Sequence, residues 1–340
     1  MKLLFDICHP AEVHHFRHLY HALRRRGWAG LFAARDKDVT RQLLTAFDLP
    51  HIIWSASRPS LLKKTAAVPH DLSAFYRIVR TFKPHVIMST ASVHSSWIAA
   101  VLPITLIACL DTEHRITLDR LTLPFVNIKF ASVSYQRPLS GVTVRYPGTH
   151  ESAYLHPHRF KPDPAVLDEL QVGSGEYVLV RFVAWKAFHD RRGYGMTRQQ
   201  QIELVVQILK QKKVFICSEG KLPPELQPYR FPLAAHKLHD ALAFAHACVS
   251  EGATTAAEAV NVGTPAMLIS PFRLGYIDDA AKYGLLTQTQ AGDIEQKHLE
   301  AFLQTPGKAY QDAFHKYQRD HIDSTLFMEQ YLLSMRENDN

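Results

Sequence analysis

The segment Ser250-Glu251-Gly252-Ala253-Thr254-Thr255-Ala256-Ala257-Glu258 joins the end of an apolar run to a turn of small residues and a helix start. A helix start of this kind presents free backbone N–H groups, here those of Ala253 to Ala256, to a phosphate or pyrophosphate. Glu258, about one turn further on, could accept hydrogen bonds from ribose hydroxyls. Thr255 and Glu258 also have the spacing of a capping box, which needs no ligand, and spacing alone leaves both readings open.

Two further segments gather titratable groups. Asp6-Ile7-Cys8-His9-Pro10-Ala11-Glu12-Val13-His14-His15 follows the first apolar run, and Asp111-Thr112-Glu113-His114-Arg115 follows a later one. Carboxylates and imidazoles clustered at a strand end suit proton transfer near neutral pH, while Asp111-Thr112 also reads as an ordinary helix N-cap. His9, His14, His15, His18 and His21 could be drawn as a zinc site. Their spacing matches no zinc motif and Arg17 and Arg24 to Arg26 crowd the same helix, so no metal is expected and the face reads as basic and solvated, able to rest on anionic lipid.

The elements that must position these groups alternate. Strand runs are predicted at 2–8, 30–34, 51–54, 85–89 and 104–109, then at 177–182, 214–217, 247–250 and 266–270. Helices are predicted between them at 12–26, 71–82, 197–211, 240–246 and 254–262, with Gly27 and Pro84 as stop signals. This rhythm implies parallel sheets covered by helices, whose ligands gather at the carboxyl ends of the strands. The Pro-rich stretch 150–165 reads as a hinge, giving an N-terminal Rossmann-like domain over 1–155 and a second over 156–305. Residues 306–340, with Tyr310, Phe314, Tyr317, Leu326, Phe327 and Tyr331 at helical spacing, are expected to close the structure by packing back on the first domain.

The 340 residues are 46% hydrophobic and 21% charged, which excludes a disordered or fibrous chain. The longest apolar stretch, 97–110, is broken by Pro103 and is too short to span a bilayer. The first residues do not read as a signal peptide, and Cys8, Cys109, Cys217 and Cys248 have no C-x-x-C spacing, so a cytoplasmic protein with reduced thiols is expected, at most peripheral to the inner membrane face. The net charge of +7 favours anionic partners, yet it is scattered and accompanied by no helix-turn-helix or ribonucleoprotein motif, so nucleic acid is not expected.

The run from Cys248 to Glu258 with Asn261-Val262-Gly263-Thr264-Pro265-Ala266 resembles the donor-nucleotide motif of GT-B glycosyltransferases, especially the UDP-N-acetylglucosamine transferase that makes lipid II, with related signals in the UDP-N-acetylglucosamine 2-epimerases. The chain as a whole resembles an archaeal and bacterial family of GT-B-like proteins, the DUF354 type. The matching residues are Asp6, Pro10, Val13-His14 and Phe16, then Ala34-Arg35-Asp36, Asp111-Thr112-Glu113-His114, Tyr146-Pro147-Gly148, Glu151, Tyr154-Leu155 and Tyr177-Val178-Leu179-Val180-Arg181. The fold this implies is α/β and GT-B-like, two Rossmann-like domains whose parallel sheets face a central cleft.

The resemblance implies a metal-independent glycosyltransferase of surface-glycan or glycolipid synthesis. It would carry sugar from a nucleotide-sugar donor, UDP-linked and a substrate rather than a cofactor, to a glycan or lipid-linked acceptor. Glu258 resembles the acid that holds the donor ribose, and Gly252, Ala253, Thr254 and Thr255 the diphosphate-binding helix start. Arg181, helped by Lys186, would neutralise the leaving diphosphate, His236 would lie near the base, and Asp278 and Asp279 near the sugar, although the usual Asp-x-Gln-Gln pattern is missing. Glu12, His14, Asp111, Glu113 and His114 are the candidate catalytic residues of the first domain. Glu12 replaces a His common in relatives. A 2-epimerase is disfavoured because Ser-Gly-Gly-x-Gln is absent from the donor turn. A binder without catalysis is the other alternative, since Glu251 would oppose an anion unless it points away.

Overall fold

Strands alternate with helices in two sheets. The computed structural model describes residues 1–56, 65–184, 195–304 and 307–338. The chain divides into two compact units, Met1–Tyr154 with His321–Asn340, and Leu155–Asp320.

The first unit holds seven parallel strands in the order β3-β2-β1-β4-β5-β6-β7: Lys2–Ile7, Ala29–Asp36, His51–Ala56, Val86–Ser89, Thr105–Leu110, Ile128–Ser132 and Thr143–Tyr146 for β1 to β7. β1 is buried on both faces from Leu3 onward, which is why its sequence is a nearly unbroken apolar run. Phe5 on β1 stacks on Phe32 of β2 and meets Phe16 from the helix Pro10–Arg25. That helix starts where the side chain of His9 accepts a hydrogen bond from the Ala11 amide, Pro10 takes the first turn, and Glu12 reaches back to the His9 amide at 3.2 Å.

The second unit holds five parallel strands in the order β12-β11-β10-β8-β9: Tyr177–Phe182, Lys213–Ser218, Ala247–Ser250, Ala266–Ile269 and Leu286–Thr289 for β8 to β12. Thr197 caps the helix Arg198–Leu209, with Gln200 completing a capping box. The order reverses between β1 and β4 in one sheet and between β8 and β10 in the other, so the loops leaving those strands diverge and leave a crevice at each carboxyl edge.

The closing segment is shared between the units. Lys308–Asp320 stays in the second, with Tyr317 buried in its core. Ser324–Asn338 returns to the first and packs on the helix Pro10–Arg25, setting Phe327 against Phe130 and Tyr146, while Ser324 and Thr325 bond the carbonyls of Thr149 and Ala153. The division therefore falls between Asp320 and His321 and not near residue 305. Strands β6, β7 and β12 had no counterpart in the predicted runs: β6 carries Lys129, and β7 and β12 are edge strands of mixed polarity.

The face of the helix Pro10–Arg25 expected to be basic and solvated is occupied at His14, His15 and Arg17, while Arg24, Arg25 and Arg26 at its end are exposed. His14 and His15 are buried, the Arg17 guanidinium lies 4.1 Å from the centre of the Phe47 ring, and just past the helix Arg26 pairs with Glu329.

Candidate functional site

In the first unit the crevice between β1 and β4 is lined by a buried polar network. Glu12 accepts hydrogen bonds from the amides of Cys8 at 2.5 Å and His9, and from the Thr90 hydroxyl at 2.6 Å. Burial raises its pKa to about 7, against the lowering effect of Thr90 and the two amides. Asp6 is raised as well, chiefly by burial, and accepts a hydrogen bond from Ser92. Arg115 donates to the carbonyls of Thr90 and Ala91, which pins the loop after β4, where Ala91 has a left-handed φ of 58°.

Asp111, just after β5, meets a residue that the sequence did not single out. Its carboxylate lies 3.2 Å from Nδ1 of His150, in the turn that follows β7. Burial alone would raise Asp111, but the His150 charge and hydrogen bond, with Thr112 and Arg115, hold it well below the carboxylate range. Burial likewise works against a charged His150, and Asp111 with Glu151 and Glu12 overcomes it, raising His150 above an ordinary histidine. The His15 ring lies against that of His150, tilted by 32° with ring centres 4.2 Å apart, and its Nδ1 faces the His150 carbonyl at 3.1 Å, so that nitrogen carries the proton. Burial, then the His150 charge, push His15 far down and keep it neutral. The Nε2 atoms of both imidazoles are buried with no hydrogen-bond partner among the described residues. An Asp–His pair with its outer nitrogen unsatisfied is the arrangement of an oriented general base.

The other candidates of this unit stand apart from that pair. His14 is buried between the rings of Phe47 and Tyr154. The Glu113 carboxylate accepts a hydrogen bond from the Gln136 amide, and His114 is exposed on the turn before the helix Ile116–Thr122.

In the second unit the helix Ala253–Asn261 begins directly after β10. Its N-cap is Gly252, without any side-chain cap, so Thr255 and Glu258 do not form the alternative capping box. A Cβ at Gly252 would sit 3.2 Å from Val183 and 4.0 Å from Cγ of Arg181, which brings the helix start beside the end of β8. Arg181 donates to Glu219, after β9, at 2.8 Å. Glu258 is buried and pairs with His239 at 3.0 Å. Both oxygens of Glu251 are engaged, accepting the amides of Val183 at 3.0 Å and Met196 at 2.7 Å. Asp278 pairs with the exposed Arg273, Asp279 is half-buried beside it, and His236 is exposed on the short turn Ala235–Lys237. Lys186 lies outside the described residues.

A family model described as "Protein of unknown function (DUF354)" matches residues 1–176. The chain belongs to this family. Comparison with curated proteins finds no match. Among solved structures, this DUF354 member is similar to the spinosyn forosaminyltransferase SpnP, at a TM-score of 0.67 and 13% identity over 98% of this chain and 99% of that one. It is similar to the UDP-GlcNAc 2-epimerase from Neisseria meningitidis bound to UDP-GlcNAc, at 0.63 and 14% over 98% and 100%. The UDP-GlcNAc 2-epimerase from Methanocaldococcus jannaschii gives 0.65 and 10% over 99% and 100%. The fold is thus α/β and GT-B-like, as the resemblance implied, and at these identities the likeness speaks for the fold alone.

Proposed function

We propose that this DUF354 member is a glycosyltransferase that uses a nucleotide-sugar donor, UDP-linked, and a glycan or lipid-linked acceptor. The reading is carried by the uncapped start of the helix Ala253–Asn261, with Arg181 beside it and the buried Glu258–His239 pair one turn inside. The amides of Ala253 to Thr255 would take the diphosphate, and Glu258, held by His239, the ribose diol. Glu251 no longer speaks against an anion there, because both of its oxygens serve the amides of Val183 and Met196.

In a transfer of this kind the acceptor hydroxyl gives its proton to a base while its oxygen forms the new bond to the anomeric carbon, and within the first unit Nε2 of His150 is the group suited to take that proton. The bond from that carbon to the donor diphosphate breaks, and within the second unit the helix start and Arg181 are suited to take the leaving charge. Asp111 orients His150 and stabilises the imidazolium. His150 takes the role considered for Glu12, His14, Glu113 and His114, because Glu12 caps its own helix and the other three lie apart from the Asp111 pair.

Calorimetric titration with UDP tests the donor site. Glu258→Ala is expected to weaken binding by about 1.5–3 kcal/mol, the usual cost of losing hydrogen bonds to a charged group. Equal affinity in wild type and variant would remove the ribose role. Conversion of UDP-GlcNAc without an acceptor would make the protein an epimerase, and nucleotide binding with neither reaction would make it a binder.

A further inference from the structure

His15 lies beside the proposed base and takes no part in the proton transfer itself. It comes from the helix Pro10–Arg25, is only 2% exposed, and sets its ring 4.2 Å from that of His150. Its Nδ1–H donates to the His150 carbonyl at 3.1 Å, although that carbonyl already accepts the Ala153 amide, also at 3.1 Å. The turn is tied within itself as well, since the Thr149 amide donates to Ser152 Oγ at 3.0 Å and the Ser152 amide to Thr149 Oγ1 at 3.3 Å. It thus has its own hydrogen bonds, independent of position 15. Burying an imidazole there costs the solvation of two nitrogens, and Nε2 recovers no hydrogen bond among the described residues.

Charge explains what the imidazole supplies. Three carboxylates act on His150: Asp111 after β5, Glu151 next in the chain, and Glu12 from the same helix as His15. All three favour the imidazolium, while the charge of Arg115 acts on Asp111. A base that is already protonated accepts nothing, so His150 needs a group that opposes the carboxylates if it is to work near neutral pH. His15 opposes them in two ways. Its ring keeps water from one side of His150, and burial disfavours the charged form. It also resists becoming a second cation, because two imidazolium rings 4.2 Å apart would repel, so the pair holds one added proton between them. We propose that His15 is a positioning residue that acts through His150, its neutral ring covering the base while its Nδ1–H holds the backbone that carries it. This role rests on the reading of His150 as the base.

Ring-nitrogen NMR of the full, ligand-free chain tests this without donor, acceptor or turnover. In the wild type His15 should hold the neutral Nδ1–H tautomer throughout the range in which His150 titrates. His15→Asn puts an amide N–H in place of Nδ1–H but uncovers the His150 ring, and should raise the His150 midpoint by about one pH unit, about a tenfold gain in proton affinity. His15→Phe keeps the cover and gives up the hydrogen bond, and should leave the midpoint near its wild-type position. Melting temperatures report which variants fold, and the wild-type titration decides if neither does. In an acceptor-dependent assay the acidic limb of the kcat profile should move up with His150 in His15→Asn, while calorimetric affinity for UDP stays unchanged. A His15 that itself titrates near neutrality, a His150 midpoint unmoved in folded His15→Asn, or an equal rise in His15→Phe would each overturn the role of His15. The expected titrations without turnover would uphold the pairing of the two rings and count against the transferase reading alone.

Discussion

His150 and Asp111 form a pair whose two protonation equilibria are tied together across the end of the sheet. Asp111→Asn removes the charge that holds the proton on His150, so the His150 pKa should fall, because burial and the neighbouring His15 then meet less opposition. Ring-nitrogen NMR titration of wild type and variant checks this without any assay of activity, and an unmoved His150 titration would refute the pairing. Glu12 makes a second titration visible. Its native pKa of about 7 lies above the unfolded value of 4.5, so the native state holds a proton that the unfolded chain releases. The associated stability is fully present below about pH 4.5 and is lost as pH rises through about 7, to the extent of about 3 kcal/mol. Glu12→Gln should flatten the fall of melting temperature across that window, measured by calorimetric scans at a series of pH values. Asp111 and Glu12 were legible in the sequence as strand-end acids. His150 was not, because it follows β7, an edge strand of only four residues, and its partner lies 39 positions earlier.

At the scale of elements, the five strands predicted in the first half and the four in the second are all present with shifts of a residue or two, since most are apolar runs and the central ones are buried on both faces. The helix start at Ala253 was equally legible, as was a helix beginning at residue 197, where the structure has Thr197 as the cap of Arg198–Leu209. What sequence could not supply was the neighbour across the sheet. Arg181 lies on β8 and Glu219 just past the neighbouring β9, and their ion pair at 2.8 Å places a carboxylate beside the proposed diphosphate site. Glu219→Gln should therefore free the guanidinium and tighten UDP binding several-fold, whereas Arg181→Ala should loosen it. Calorimetry on both variants decides, and unaltered affinity in Glu219→Gln would mean that Arg181 serves the fold and not the nucleotide.

For the whole molecule, the last helix belongs to the first unit. Ending the chain after Asp320 would strip Phe327, Met328, Tyr331 and Leu332 from a surface that includes Phe130, Tyr146 and the helix Pro10–Arg25. Truncation at that point should leave the second unit folded and the first prone to aggregation, as read by limited proteolysis, and adding a peptide of residues 321–338 in trans should restore protection. A first unit that resists protease without this helix would contradict the packing. The same return of the chain bears on biosynthesis. Domains made first usually fold first as they leave the ribosome, but this sheet, whose strands end at Tyr146, does not receive its last covering helix until the entire intervening unit has been translated. The nascent chain therefore carries an N-terminal sheet with one apolar face uncovered while the second unit is made, exposed to chaperones, and the packing of that half is completed last.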